Sequence, residues 1–573
     1  MPEINLALLQ PILQEHAPEG RRALLPALHA AQAVYGYLPE PVAAAIGQAL
    51  GVPLADVFGV IDFYAHFHSM PVARRIAHIC TDPVCAFAGS DALMKLTTRR
   101  IDPEAEGHEV SLTLERAPCL GLCEHAPAVM IDEMQRGEVV ALPPWEAPEH
   151  IGQKPTGIIG GEISLLTRNC GHGRATSLTN YEHGGGYQAL RYAARQAPAD
   201  IIAEVKASGL VGRGGAAFPT GQKWEGAAQA PGTPKYVVCN GDEAEPGTFK
   251  DRVIMEEDPH QVLEGLILAA YAIGAPKGYI FIRAEYPHAF QTMGAAVIEA
   301  RHAGYLGQNI LGTSFSFDVE LRRGAGAYIC GEETALFEAI EGKRGFPRMK
   351  PPFPTTAGLF GRPTVINNVE TLCNIPLIVR HGATAYRQIG TSKSPGPKLF
   401  CVAGDVSRPG LYEVPFGITI RHLLYDLAGG LRDGLHLQAI LIGGAAGAFA
   451  TERDLDVKLS FEDLRAAGLP LGSGVVTVLD ETRDLRDVVV RLARFIAEES
   501  CGKCFPCQLG TQRQLEIMQR VAQGQALPGD AERLTQVGLT MTDASLCGLG
   551  QTAALAALSA LKLWPHLFAA AAH

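Results

Sequence analysis

Eight cysteines in this chain are spaced as ligands for two metal clusters. Cys80 and Cys85 form C-x4-C, Cys119 and Cys123 form C-x3-C, and Cys501, Cys504 and Cys507 form C-x2-C-x2-C, with Cys547 following at a distance. Each set supplies four thiolates, the number that holds a [2Fe–2S] or a [4Fe–4S] cluster. Two such sets in one chain point to the movement of electrons. Zinc also takes four thiolates, but its structural sites usually use C-x2-C pairs. The first set is spaced more widely, and the second crowds three cysteines into seven residues ahead of helical text. Disulfides are the other alternative. The start, Met-Pro-Glu-Ile-Asn, lacks the basic residues and apolar core of a secretion signal. A cytoplasmic location with reduced thiols is therefore expected. The other five of the thirteen cysteines, Cys170, Cys239, Cys330, Cys373 and Cys401, read as small buried residues.

Three glycine-rich or acidic segments suggest a ligand cavity. In residues 210–224, glycines allow close backbone approach to an anion, and Arg213 and Lys223 add charge. Gly212, Gly214 and Ala217 satisfy G-x-G-x-x-A, but residues 201–208 before them read as helix, whereas the dinucleotide fingerprint follows a strand. No standard Rossmann site is expected there. Residues 240–247 follow a strand and place Asp242, Glu243 and Glu245 within four positions. Like charges so close are costly to desolvate without a partner or a role; a solvated acidic turn is the alternative. Residues 324–334 read as a glycine turn entering a helix, whose N-terminus can receive a phosphate or nucleotide edge.

The surrounding elements divide the 573 residues into about three to five domains. Hydrophobic content of 47% is enough for several cores. No apolar run approaches the roughly 18 residues of a membrane span. The net charge of −11 argues against a general nucleic-acid partner. Residues 1–72 have helical periodicity and predict a small bundle, with Phe63, Tyr64 and Phe67 as packing residues. Residues 73–142 read as β-α-β-β-β, a thioredoxin-like sandwich with a strand at 109–114, a helix capped by Ser90, and both cysteine pairs on loops after strands. Residues 143–185 fit no element and read as a connector. Residues 186–395 alternate strand and helix, an α/β domain. Residues 396–482 form a small β-grasp-like module, and residues 483–573 are helical around the second cysteine set. The expected class is thus multidomain α/β.

Residues 209–224, 240–247, 325–336 and 363–372, together with the 500–507 cysteine motif completed by Cys547, resemble the flavin-binding subunit of the NADH-oxidising module of respiratory complex I. Residues 1–142 resemble its small [2Fe–2S] subunit, normally a separate chain. The resemblance covers nearly the whole chain and implies FMN, NAD, one [2Fe–2S] and one [4Fe–4S] cluster. It implies that Gly212, Arg213, Gly214, Lys223, Asn240, Asp242, Glu243, Gly331, Asn367, Asn368 and Thr371 line FMN. Phe218, Glu245, Tyr328, Glu332 and Glu333 would face the dinucleotide, with Glu245 and Tyr328 at the reacting centre and Phe353 stacking on adenine. Several enzymes use this module. Only 26 residues follow Cys547, none of them Cys, which disfavours the ferredoxin-extended bifurcating hydrogenases. Fused hydrogenase diaphorase subunits often lack the first cluster's ligands, whereas all four cysteines stand here. The resemblance thus leans to the β subunit of a molybdenum- or tungsten-dependent, NAD-linked formate dehydrogenase. Its partner would be a large pterin–metal subunit with further iron–sulfur clusters. A hydrogenase diaphorase or a fused complex I module is the alternative.

Overall fold

The computed structural model describes residues 4–73, 75–100, 112–133, 138–141 and 156–569. Residues 4–61 form the expected bundle, whose main helices are Leu24–Tyr35, Glu40–Leu50 and Leu54–Ile61. Its apolar faces do not close on themselves. Leu28, Val57, Tyr64 and Phe67 share one continuous core with Val238, Tyr279 and Phe281 of the α/β domain and with Val489 and Leu492 of the C-terminal helices. Polar contacts fix this docking. The Tyr64 hydroxyl donates to Lys343 O at 2.8 Å, and the His29 ring meets Gly324 O at 3.0 Å.

The thioredoxin-like sheet has strands β1 (Arg75–Cys80), β2 (Leu112–Ala117), β3 (Ala128–Glu133) and β4 (Glu138–Ala141) in the order β2-β1-β3-β4. β1 runs parallel to β2 and antiparallel to β3. The strand expected at 109–114 is β2, displaced toward the C-terminus; residues 109–111 lie outside the described residues. Ser90 opens the helix Ser90–Arg100 rather than capping it, and its buried hydroxyl finds no partner among the described residues.

Within the stretch expected as a connector, residues 143–155 lie outside the described residues, but β5 (Ile159–Gly161) is a strand. The buried Glu413 carboxylate accepts the N–H groups of Leu165, Leu166 and Thr167 at 2.9–3.1 Å and ties this segment down.

The α/β domain is built on β6 (Tyr236–Gly241), β7 (Lys277–Ile282), β8 (Asp318–Arg323) and β9 (Thr364–Asn368), all parallel, in the order β8-β7-β6-β9. The central strands β6 and β7 are buried on both faces, which explains their continuous apolar text. Strand order reverses between β6 and β9. In open parallel sheets, ligands bind beyond the carboxyl ends of the strands at such a reversal.

The β-grasp-like module contributes β10 (Pro397–Gly404), β11 (Gly410–Pro415), β12 (Leu437–Ile442), β13 (Ala448–Ala450) and β14 (Val475–Asp480). With β5 at its edge, the mixed sheet has the order β13-β12-β14-β10-β11-β5. The helix Leu485–Glu498 follows, started by the Asp484 carboxylate accepting from Arg486 N. Its buried stripe of Leu485, Val488, Leu492, Phe495 and Ile496 faces the shared core. Among the described residues, no single helix is long and apolar enough to cross a membrane.

Candidate functional site

Where β6 and β9 part, the chain opens a cavity of about 740 Å3, within the usual range for a cofactor site. Its floor comes from the ends of these strands: Asn240 and Asp242 at and after the end of β6, and Asn368 at the end of β9. Asn240 Nδ2 donates to Gly331 O at 2.9 Å, and its Oδ1 accepts the Asp242 N–H at 3.0 Å. The turn at residues 214–217 forms one wall. A Cβ on Gly214 would come within 3.0 Å of Asn368 Cβ, so the turn's close approach requires glycine. It follows the helix Pro198–Ser208 and precedes the helix Thr220–Gln229, as the failed strand criterion anticipates.

The acidic segment is not a solvated turn. Glu243 is buried and accepts the N–H groups of Asp251 and Arg252 at 3.0 and 2.9 Å, with the Tyr286 hydroxyl at 3.2 Å. Burial pushes its carboxyl up. Asp242 is pushed well above its ordinary range by burial, and its Oδ2 has no partner among the described residues. Buried acceptors are nearly always satisfied, so an unmatched one lining a cavity is open to a ligand donor. Glu245 is half-buried. Its Oε2 accepts the Tyr328 hydroxyl at 2.5 Å and its Oε1 the Ala446 N–H at 3.2 Å, while burial pushes the carboxyl up to about 7.

Of the residues implicated by resemblance, Gly214, Asn240, Asp242, Glu243, Glu245, Tyr328, Gly331, Glu332 and Asn368 line the cavity. Gly212, Arg213, Phe218, Lys223, Glu333, Phe353, Asn367 and Thr371 do not. Several of these are supports. Gly212 N–H donates to Phe218 O at 2.9 Å, Thr371 Oγ1 accepts the Arg213 N–H at 2.8 Å, and Asn367 Oδ1 accepts the Trp224 indole at 2.9 Å. The Arg213 side chain points away from the cavity. Its guanidinium donates to Pro395 O at 2.8 Å and sits 4.6 Å from the Phe416 ring centre, joining the α/β domain to the β-grasp module, while its buried Nε and Nη1 have no partner among the described residues. Lys223 holds Glu333 at 3.4 Å, and Lys350 bridges Glu332 and Glu333 at 2.9 and 2.7 Å. Burial works to raise Glu333, but Lys223 and Lys350 outweigh it and hold it below its ordinary value. Phe218 and Phe353 are 51% and 58% exposed, aromatic surface free to stack.

The β-grasp side of the cavity escaped sequence reasoning. Gly443, Ala446, Arg465 and residues 468–473 line it, as do Gly548, Leu549, Thr552 and Leu555 of the C-terminal helices. The glycine density of residues 443–447 was the available signal.

One cysteine set shares wall residues with this cavity, and the other lies behind the loop that carries Glu245. Cys501, Cys504, Cys507 and Cys547 line one small pocket, together with Ile329 and Leu549. Those two apolar residues also line the large cavity, so they alone are common to both. On another side, Cys80, Cys85 and Cys123 line a pocket with Pro246 and Gly247. Cys119 Sγ lies 3.4 Å from Cys123 Sγ, close to the roughly 3.8 Å expected for two thiolates on one tetrahedral metal. The Cys123 thiol and the Gly247 and Gly121 N–H groups favour thiolate at Cys119, while Cys123 is pushed up by Cys119 and by burial. The Cys80 thiol, hydrogen-bonded to Cys85, is likewise pushed up. Two cysteine pairs suit two irons, one pair each. The cluster-bearing loop is anchored by Arg252, whose Nε donates to Gly121 O at 2.7 Å and whose guanidinium pairs with buried Glu124 and with Glu256.

Comparison with known proteins agrees with this layout. Residues 9–141 match the thioredoxin-like [2Fe–2S] ferredoxin family and residues 205–377 the Nuo51 FMN-binding domain. Residues 399–444 match the SLBB domain, and residues 487–571 match the iron–sulfur binding region of NADH-ubiquinone oxidoreductase-F. The domain order expected from sequence therefore holds, as do FMN, NAD, a [2Fe–2S] and a [4Fe–4S] cluster as cofactors, and the chain has the NAD-dependent oxidoreductase activity of a diaphorase module. The chain is 44% identical to the HndC subunit of the NADP-reducing hydrogenase of Solidesulfovibrio fructosivorans, over 68% of this chain and 80% of that one. A crystal structure of an NAD+-reducing [NiFe]-hydrogenase in the H2-reduced state superposes with a TM-score of 0.83 at 33% identity, covering 96% of this chain and 92% of that one. These similarities correct the formate dehydrogenase reading and its molybdenum- or tungsten-pterin partner: the relatives are hydrogenase and quinone-oxidoreductase subunits, and a fused chain of almost the same extent occurs in a hydrogenase. The chain is also 49% identical to the F 2 subunit of the NADH-quinone oxidoreductase of Rhizobium meliloti (strain 1021), covering 70% of this chain and 95% of that relative, and it belongs to the family of NADH-quinone oxidoreductase F subunits.

Proposed function

We propose that this chain is the diaphorase module of an NAD(P)-linked hydrogenase, exchanging hydride with a nicotinamide dinucleotide in the cavity at the β6–β9 reversal. The observation that carries the reading is the shared wall: Ile329 and Leu549 line both the cavity and the pocket of Cys501, Cys504, Cys507 and Cys547. A ligand site and a thiolate site separated only by side chains suit a unit that handles electrons at both.

Gly214, Asn240, Asp242, Glu243 and Asn368 would hold FMN, with the unpartnered Asp242 Oδ2 available to a ligand donor. The chemistry FMN supplies when bound is acceptance of a two-electron hydride and release of single electrons. Glu245, fixed by Tyr328 and Ala446, would orient the dinucleotide. The apolar side chains of Ile329, Leu549 and Leu555 keep water from that part of the wall. Cys501, Cys504, Cys507 and Cys547 would hold the [4Fe–4S] cluster, and Cys80, Cys85, Cys119 and Cys123 the [2Fe–2S] cluster, each a one-electron carrier.

The hydrogenase setting is favoured by extent. The hydrogenase structure covers 96% of this chain, including the fused N-terminal region, whereas the quinone-oxidoreductase relative covers 70%. The native complex tests it. Hydrogen-dependent reduction of NAD+ or NADP+ is expected. Quinone-dependent NADH oxidation without hydrogen turnover would transfer the module to a respiratory setting, and failure of NADH to bleach the flavin of the isolated chain would refute the diaphorase reading itself.

A further inference from the structure

The charge around the cavity is lopsided. Asp242, Glu243, Glu245, Asp251 and Glu332 line it, Asp251 paired with Lys250 and Glu332 with Lys350, and among the described residues Arg465 is the only lysine or arginine on the wall itself. A dinucleotide brings a pyrophosphate of its own into this acidic surround, and a low-dielectric wall strengthens the repulsion. A cation on the wall would offset that repulsion.

Arg465 lies near the end of the short helix Phe461–Ala466, which Ser460 caps by accepting from Asp463 N. The arginine is exposed, and its guanidinium has no hydrogen bond or ion pair among the described residues. That sets it apart from Arg252 and Arg283, both buried and committed to protein partners. The chain then turns through residues 468–473, also on the cavity wall. Gly468 and Gly472 have φ of +73° and +57°, and the main-chain N–H groups of Gly472 and Ser473 donate to no group among the described residues. Free N–H groups in a turn that includes left-handed residues form a concavity suited to an anion. A Cβ on Gly215 would lie 4.0 Å from Ser473 N, so this turn packs beside the glycine turn on the cavity wall.

Resting on the diaphorase reading above, we infer that Arg465 and the Gly472–Ser473 turn form an anion subsite that takes the pyrophosphate of the nicotinamide dinucleotide. The exposed position of Arg465 fits the ligand that enters and leaves, while Asn240, Asp242 and Asn368 at the strand ends face the one that stays. Arginine is suited to the task because its planar fork bonds two phosphate oxygens at once.

The test uses the full chain with its cofactors. Dissociation constants for NADH and for reduced nicotinamide riboside, which carries no phosphate, are measured for wild type, Arg465→Ala and Arg465→Lys, beside the flavin-to-protein ratio. Arg465→Ala should weaken NADH by about tenfold, leave the riboside unchanged, and flatten the salt dependence of NADH binding. Arg465→Lys should recover part of the loss. Equal NADH affinity in wild type and Arg465→Ala overturns the subsite, as does equal weakening of NADH and riboside. Loss of FMN from Arg465→Ala also overturns it, because the arginine would then serve the flavin phosphate. If wild type itself binds no NADH, the diaphorase reading fails instead.

Discussion

Replacing Glu245 by Gln should separate dinucleotide binding from flavin retention. The carboxylate accepts two protein donors, the Tyr328 hydroxyl at 2.5 Å on one oxygen and the Ala446 N–H at 3.2 Å on the other. Glutamine keeps the shape but offers one acceptor oxygen, so one of those donors must face an amide NH2. A nucleotide donor aimed at this site loses a charged partner. A hydrogen bond to a charged group contributes about 1.5–3 kcal/mol, or roughly tenfold to over a hundredfold in affinity. The pH dependence adds a second readout. Burial raises the Glu245 carboxyl to about 7 against the pull of Tyr328, Ala446 and Ala445. The group is therefore protonated below that value and ionised above it. Binding that needs the carboxylate is full at high pH and falls as pH drops through about 7. NADH affinity in the wild type should weaken about tenfold between roughly pH 8 and pH 6, and the Glu245→Gln profile should be flat there. Equilibrium titration of NADH and NAD+ across this range, beside the flavin-to-protein ratio, checks both effects. Tighter binding by the variant would mean that Glu245 chiefly repels phosphate. Unchanged affinity, an unchanged pH profile or loss of FMN would refute the orienting role of Glu245.

Cys504→Ala should leave NADH bleaching of the flavin intact, abolish the electron paramagnetic resonance signal of the [4Fe–4S] cluster, and reduce transfer to the partner at least tenfold; transfer at the wild-type rate would remove this cluster from the exit route. Gly342→Ala should undock the N-terminal bundle, because φ is +77° there and a Cβ would lie 1.9 Å from Arg21 O. A loss of about 2–4 kcal/mol is expected, read as a lower unfolding temperature and faster proteolysis within residues 24–61, with cofactor content unchanged. Arg252→Met would leave the Glu124 carboxylate without its buried partner, a change that costs about 3–5 kcal/mol. The [2Fe–2S] resonance signal should shift while the [4Fe–4S] signal stays; unchanged stability and signals would count against the anchoring role.

The parts of the site that lie on contiguous segments were legible in the sequence. The strand end at Asn240, the glycine turn at Gly214 and the helix entry at Glu332 each bring their own local geometry, and each lies on the cavity. Orientation was less legible. An arginine between two glycines reads as a ligand residue, but its contact with Phe416 has no local signal, because burial against a second domain is decided by contacts about two hundred residues away. The wall built by Arg465 and Leu549 has the same origin: neither carries a local signal, and only the docking of two further domains brings them to the strand ends. Ser90 failed as a cap for a smaller reason. Helix starts are ambiguous by a residue or two, and Gly89 O already accepts from Ala92 and Leu93. The partner was misread because retention of four cysteines reports on this chain's own first cluster, not on the chemistry of the chain beside it.

The acidic segment stands between the cavity and the first cysteine set. Ala244, Glu245 and Thr248 face the cavity, while Pro246 and Gly247 face the pocket of Cys80, Cys85 and Cys123. One loop therefore lies between the two on that side. Gly247 allows close packing there. Its φ is +95°, and a Cβ there would meet Val475 at 2.6 Å, so β14 packs directly on the loop. Its N–H also favours thiolate at Cys119. On the opposite side, Ile329 and Leu549 are the partition. The cavity thus adjoins one cysteine set through main chain and hydrogen bonds and the other through apolar side chains.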